Sequence, residues 1–531
     1  MRDPRVIRTT PLLTCLFTLI ALLWCVPTSS AAPRDDTSEP PQVRTGEGQL
    51  LGRVHDQAEE FLGVPYAAPP VGPSRLRPPR PPSHWSGARD ATRQAPACPQ
   101  FSPFGLRDPQ AVSEDCLYLD VYRPRGARQG QSLPVLFWMH GGGYSQGTGT
   151  QFGARTMASL TGTVVVSINY RLGQLGYLDL PELTRDNAYD SGSFGLMDQI
   201  AALKWTRDNI AAWGGDPNNI TLSGQSAGSA SVCSMLASPR AKGLFSHAVL
   251  QSGPCSLLRA PDRAQAQRDS RAFAAAAGCS APETRAACLR SASTDALIAA
   301  ARTHPASGPA VGDRLLPRQP FDAIADGDWN RVPVLIGSTR AESRLFVALS
   351  TPHLTADEYR AAVGAQYGDA AAQVLAHYPL SSYDSPYLAM SALTTDSTFA
   401  CHTQRTASSL ARQVPTHEYE FDDPRSPTLY GAQVPGLDMA NAHSAELAYL
   451  YDFTMADRPL TAAQILLADR MKRYWGAFSR TGNPNTAGQA MWPPAGGPLG
   501  RVLELTPSTD RVSTAFASKH QCAFWAQSSP L

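Results

Sequence analysis

Ile220-Thr221-Leu222-Ser223-Gly224-Gln225-Ser226-Ala227-Gly228-Ser229 is the stretch that decides how this chain folds. Ile220 to Leu222 reads as a short buried strand. It leads into a Gly-x-Ser-x-Gly pattern and then into Ser229 to Ala237, a helix start rich in small residues. Glycines flanking a serine permit a tight strand-to-helix turn that lifts its hydroxyl out of the sheet, and small residues behind it let the helix pack close. The same five-residue pattern recurs at Gly143-Tyr144-Ser145-Gln146-Gly147, so the pattern alone decides nothing. Context separates the two. Thr148-Gly149-Thr150-Gln151 is a poor helix start, and His140-Gly141-Gly142-Gly143 stands before that copy, just after a strand. A glycine run there can aim backbone N–H groups at a developing oxyanion. One site is therefore expected to supply a nucleophile, Ser226, and the other an anion hole.

Working outward, apolar runs bounded by Gly, Pro and Asn recur at Leu133–Met139, Thr163–Ile168, Ala248–Leu250, Val332–Ile336 and His417–Phe421. Runs apolar on both faces are what a parallel sheet covered by helices demands. Leu196–Ala212, stopped by Trp213-Gly214-Gly215, and Ala462–Phe478 carry apolar residues at helical spacing. Strands alternating with helices predict an α/β fold. No repeat and no long low-complexity linker interrupts it.

A nucleophilic serine needs a base and an acid to orient that base. Among eleven histidines, His353, His377, His402, His417, His443 and His520 lie far enough downstream. His443 sits in the small-residue loop Ala440-Asn441-Ala442-His443-Ser444-Ala445, before an apolar helix, as suits a base at a site mouth. Glu342 comes after the strand Val332–Ile336 and the loop Gly337-Ser338-Thr339-Arg340, at a strand end where ligand-facing groups collect. Taken alone, each reads as an ordinary surface residue.

The N-terminus has the form of an export signal: Arg2, Arg5 and Arg8, an apolar stretch Pro11–Val26, and the small residues Thr28-Ser29-Ser30-Ala31-Ala32. The apolar stretch is short for a membrane span. The expected organisation is a signal peptide over residues 1–32, a disordered leader over 33–41, and one domain over 42–531. That places the mature protein outside the cytoplasm. Of ten cysteines, Cys15 and Cys25 leave with the signal, and an even number remains for an oxidising compartment. Spacing alone cannot pair them. No paired C-x-x-C spacing occurs, so a zinc site is not expected, and acyl transfer through a serine requires no metal or organic cofactor. The 46 basic and 45 acidic residues balance, which gives no electrostatic reason to propose nucleic acid or an anionic membrane as partner. Asn219-Ile220-Thr221 matches a glycosylation acceptor, but it opens the strand feeding Ser226 and reads as structural.

The chain resembles the carboxylesterase type B family of α/β-hydrolases, from about Val43 to Trp525. Phe61-Leu62-Gly63-Val64-Pro65-Tyr66-Ala67, Ser113-Glu114-Asp115-Cys116-Leu117-Tyr118-Leu119, Asn169-Tyr170-Arg171 and Gly214-Gly215-Asp216-Pro217 carry the resemblance. It implies a mostly parallel central sheet flanked by helices and hydrolysis of small-molecule esters through an acyl-enzyme. It also implies Ser226, Glu342 and His443 as catalytic triad, and Gly142, Gly143 and Ala227 as oxyanion-hole donors. The same resemblance pairs Cys98 with Cys116, Cys279 with Cys288, and Cys401 with Cys522. Cys233 and Cys255 are left over, and a buried free thiol is the expectation for Cys233, on the helix behind Ser226.

Three departures from the family stand out. Gln225 replaces the usual Glu before the serine. Phe101 and Phe104, but no Trp, occupy the Cys98–Cys116 loop, where cholinesterases hold a quaternary ammonium by cation–π contact. Both argue against choline esters and for small to medium neutral ones. His402 replaces the usual Pro after Cys401, without an account at this level. The rival readings are a lipase for longer acyl chains and a non-catalytic adhesion relative. The short loop with Arg107 and Asp108 weighs against the first, and the intact Ser226, Glu342 and His443 against the second.

Overall fold

The structure is a computed structural model. It describes residues 39–101, 111–185, 187–257, 259–429, 436–453, 455–496 and 500–528. The expected signal peptide, most of the leader, and Phe104, Arg107 and Asp108 lie outside the described residues.

One eleven-stranded sheet organises the chain. In chain order its strands are β1 (Arg53–His55), β2 (Ala58–Pro65), β3 (Tyr118–Pro124), β4 (Leu133–Met139), β5 (Val164–Ile168), β6 (Gly215–Gln225), β7 (His247–Gln251), β8 (Val334–Thr339), β9 (Thr416–Phe421), β10 (Val502–Leu505) and β11 (Arg511–Ser513). The spatial order is β11-β10-β9-β8-β7-β6-β4-β5-β3-β2-β1. From β10 across to β5 every neighbour is parallel. The antiparallel pairings are at the margins. Each apolar run read from the sequence is a strand of the parallel part, with ends shifted by a few residues; β6 is longer than expected, extending back to Gly215.

The helices that frame the site are α1 (Phe194–Asn209), α2 (Ala227–Ala237), α3 (Ser343–Ser350), α4 (Cys401–Ala411) and α5 (Ala462–Thr481). A central strand shows alternate side chains to opposite faces, and β4 displays both. Val135, Phe137 and Met139 join the core layer that contains α1 and α2 residues such as Phe194, Leu203 and Val232. Leu136 and Trp138 join the other layer, with Leu467, Met471 and Trp475 of α5. That helix starts on a capping box between Thr461 and Gln464 and stops at Gly482, whose φ is 73°, as a left-handed C-cap requires.

Four disulfides are present. Cys98–Cys116, Cys279–Cys288 and Cys401–Cys522 are the pairs the resemblance implies. The free-thiol expectation for Cys233 is corrected: it is bonded to Cys255. The two are 22 residues apart in sequence, but β7 lies parallel beside β6, so the loop after β7 returns alongside α2. No helix among the described residues is long and apolar enough to cross a membrane. Asn219 is used by the fold itself, its amide donating to the Arg480 carbonyl at 3.1 Å.

Candidate active site

Because β4, β6, β7 and β8 run parallel, their C-terminal ends share one edge, and the loops leaving that edge build the site. Ser226 sits between β6 and α2 with φ 56° and ψ −123°. This is a conformation that costs a non-glycine residue energy and persists only where the surroundings fix it. Its N–H donates to the Gln251 carbonyl at 2.8 Å. Gly228 makes the tight turn possible, since a Cβ there would stand 2.1 Å from the Met139 carbonyl oxygen.

The structure brings Ser226, His443 and Glu342 to this edge. His443 Nδ1 and Glu342 Oε2 are 2.6 Å apart. The His443 N–H also donates to the Glu342 carbonyl at 3.1 Å. The other carboxylate oxygen accepts the Thr339 N–H at 2.8 Å. Glu342 is fully buried and His443 only 6% exposed. With Nδ1–H given to Glu342, Nε2 carries the lone pair a general base needs. Phe346 and Phe399 flank the imidazole, with ring centroids 4.9 and 5.3 Å away.

Gln225 has a role the sequence did not disclose. Its Nε2 lies 3.1 Å from His443 Nε2, so in this structure the neutral amide donates to the base's free nitrogen, and Ser226 Oγ must take that place when it gives up its proton; all three residues line the same cavity. Glu446, three residues beyond His443, lies beneath the site and accepts from Gln251 Nε2 at 3.2 Å. Burial, aided by the Glu342 charge, pushes its carboxyl up to about 7.

The loop after β4 supplies the second half of the site. The Gly142 carbonyl is turned into the loop, accepting from the Ser145 and Gln146 N–H groups at 3.1 Å each and from Ser145 Oγ at 3.2 Å. Ser145, in the second Gly-x-Ser-x-Gly, is thus a loop-forming hydroxyl. Among the described residues, neither the Gly142 nor the Gly143 N–H donates to a backbone carbonyl. Ala227 opens α2, where a helix leaves N–H groups unpaired and its dipole favours negative charge. A Cβ on Gly142, whose φ is 108°, would stand 2.1 Å from the Gln146 carbonyl oxygen. The Asn169-Tyr170-Arg171 motif braces this loop. Asn169 Oδ1 accepts the Gly149 N–H at 2.8 Å, and Tyr170 OH donates to the His140 carbonyl at 2.7 Å. Arg171 is anchored on buried Asp198 by two 2.7 Å hydrogen bonds.

Two cavities meet at Ser226. The larger, about 410 Å³, lies on the His443 side against Phe346, Leu345, Gln146, Phe152 and Met455. The smaller, about 250 Å³, runs along α2 past Ala227, Ala230 and Ser234 and is walled by Gly253, Pro254 and the Cys233–Cys255 pair. Phe346 and Phe399 stack with centroids 5.7 Å apart and an interplanar angle of 4°. Phe346 lines the larger cavity and Phe399 the smaller. Of these, the sequence pointed only to the residues nearest Ser226.

The Carboxylesterase family model matches residues 39–525. The chain belongs to the carboxylesterase family. A carboxylesterase of this size has relatives over nearly its full length. Fumonisin B1 esterase of Sphingopyxis macrogoltabida is 34% identical over 478 residues, covering 86% of this chain and 85% of the relative. Para-nitrobenzyl esterase of Bacillus subtilis (strain 168) is 33% identical, covering 85% and 92%. The solved structure of a PNB esterase superposes with a TM-score of 0.76 at 32% identity, covering 91% of this carboxylesterase and 100% of that chain. The α/β-hydrolase fold and carboxylic-ester hydrolysis by a serine esterase follow from this membership.

Proposed function

We propose that Ser226 is the nucleophile, His443 the general base and Glu342 the group that orients it, in a two-step acyl transfer on small to medium neutral esters. The observation that carries this is the hydrogen bond from buried His443 Nδ1 to buried Glu342, on the loop edge where Ser226 stands strained above α2. His443 takes the Ser226 proton as Oγ attacks the ester carbonyl. The oxyanion is received by the Gly142, Gly143 and Ala227 N–H groups. His443 then returns the proton to the leaving alkoxide oxygen, and the alcohol departs. Water, deprotonated by the same imidazole, releases the acid in the second step.

That proton return assigns the cavities. The leaving oxygen must be within reach of His443, so the larger cavity takes the alcohol and the smaller the acyl group. No carboxylate lines the alcohol side among the described residues, and Gln225 is neutral; both favour an uncharged alcohol over a cationic one. The acyl cavity, about 250 Å³, falls below the usual range for drug-sized ligands.

A fluorophosphonate probe should label Ser226, and Ser226→Ala should abolish both labelling and hydrolysis of short p-nitrophenyl esters. Full activity in that variant would overturn the assignment and make Ser145→Ala the next test. We also propose that residues 1–32 direct export and are removed. Four disulfides suit an oxidising compartment. The N-terminal sequence of the secreted protein should begin within a residue or so of Pro33; retention of Met1 would refute cleavage.

A further inference from the structure

The Cys233–Cys255 bridge differs from the other three in its position. It lies at the cavity assigned to the acyl group, and both cysteines line it. The lining residues Ala227, Ala230, Cys233 and Ser234 share one face of α2, at the spacing that brings side chains into register along a helix. At 1.5 Å per residue, the line from Ala227 to Ser234 is about 10 Å long. Its first positions are alanines, so α2 offers little obstruction near Ser226.

The opposite wall is the loop Ser252–Leu257, and it is joined to the helix at successive turns. Ser226 N–H donates to the Gln251 carbonyl at 2.8 Å. One turn on, Ser229 Oγ donates to the Gly253 carbonyl at 2.8 Å. One turn further, the disulfide makes the join covalent. The loop is also held from its far side, and this accounts for His402. Its Nδ1 meets Ser256 Oγ at 2.9 Å, and the Ser256 N–H reaches Thr406 Oγ1 at 3.2 Å. Both partners lie on α4. The wall is thus fastened to two helices, and the covalent fastening lies where a growing acyl chain would press outward.

We propose that the Cys233–Cys255 disulfide is a specificity-determining wall of the acyl cavity, fixing its width beyond Ala230 and so limiting the acyl chain the enzyme accepts. This rests on the assignment of the smaller cavity to the acyl group. Replacing both cysteines by alanine removes the two sulfurs from the wall and releases the loop from α2, while the alcohol cavity is untouched.

The test is a pair of substrate ladders on the full mature chain. One varies the acyl group from acetyl to decanoyl on p-nitrophenol; the other varies the alcohol on a fixed butyryl group. In C233A/C255A, kcat/KM for octanoyl relative to acetyl should rise by about tenfold, the scale on which a pocket registers one methylene, while the alcohol ladder keeps its shape. An unchanged acyl ladder in a double variant that still labels with fluorophosphonate overturns the proposal. So does a parallel change in both ladders, which would make the bridge a general support. Should the double variant fail to fold, Cys233→Ala with Cys255→Val refills part of the lost volume and must still lengthen the acyl preference. Ala230→Leu, with the bridge intact, should shorten the acyl ladder; if it alters the alcohol ladder instead, the cavity assignment falls and the wall proposal with it. Loss of labelling in Ser226→Ala alongside an unmoved acyl ladder leaves the nucleophile standing and removes only the wall.

Discussion

His520 is the residue whose removal the structure lets us trace most closely. It is buried in the C-terminal segment with Nδ1 2.5 Å from Asp396 Oδ1 and Nε2 2.6 Å from Glu420 Oε1. Burial by itself would depress its proton affinity, but the hydrogen bonds to Asp396 and Glu420 outweigh it and push His520 up to about 9, from an ordinary 6.5. At about 1.4 kcal/mol per pH unit, the bridging imidazolium contributes about 3 kcal/mol to folding stability. Glu420, held low despite its burial chiefly by its bond to His520, reports the same interaction from the other side and adds nothing further. Because the folded-state value is the raised one, this stability is fully present below about 6.5 and is lost as pH climbs through about 9. Urea-unfolding curves at intervals from pH 6 to pH 10, for wild type and His520→Gln, isolate the effect. Glu418, which burial raises to about 8 against the lowering pull of the His520 charge, loses that pull in the variant, so its response belongs to the same measured gap. The wild type should exceed the variant by about 3 kcal/mol at pH 6, with the gap closing toward pH 10. A gap that stays constant across that range would refute the bridging imidazolium.

Glu342→Gln should leave the fold intact and lower kcat by about 10⁴, as loss of the orienting carboxylate does in serine hydrolases with this proton path. Gln225→Glu puts a carboxylate against His443 Nε2, which favours the imidazolium. The acidic limb of its pH–rate profile should move to higher pH, with cationic alcohol esters gaining on neutral ones. Gly228→Ala, forced to 2.1 Å from the Met139 carbonyl oxygen, should be destabilised by about 1–3 kcal/mol and lose activity together with its burst of p-nitrophenol. Cys401→Ala with Cys522→Ala opens a loop of 121 residues and should cost about 4 to 5 kcal/mol in a chain-entropy account, read as a lower urea midpoint.

The parallel core of the fold was legible because its apolar strand runs alternate with helical stretches, the pattern of a helix-covered sheet. The margins were not: β1 and β11 are three residues each and mix charge with apolar side chains, so no run announces them. At the site, the elbow could be told from its double by the residues after each serine, small and helix-forming behind Ser226 but not behind Ser145. The proposed acid and base were only half visible locally. The loop around His443 suits a base and Glu342 stands at a strand end, but each alone reads as a surface residue, and nothing local says that the two meet across 101 residues; the family resemblance implied that pairing. Cys233 and Cys255 failed for a related reason. Their bond arises from β6 and β7 lying side by side, which no count of cysteines contains. Gln225 was visible as a lost charge, but its contact with His443 depends on where the chain carries that histidine.

The unequal cavities on either side of Ser226 have a stereochemical consequence. On the proposed assignment, with the oxyanion pointing at the glycine loop, the acyl group lying along α2 and the alkoxide lying toward His443, every substituent of the tetrahedral carbon has its own direction. The intermediate can then form with one handedness only. The two enantiomers of an ester with its stereocentre beside the carbonyl should therefore be hydrolysed at unequal rates, because the groups on that centre meet unlike walls, Ala227 and Ala230 on the helix and Gly253 and Pro254 on the loop. Chirality is therefore sorted by the same partition that separates acid from alcohol.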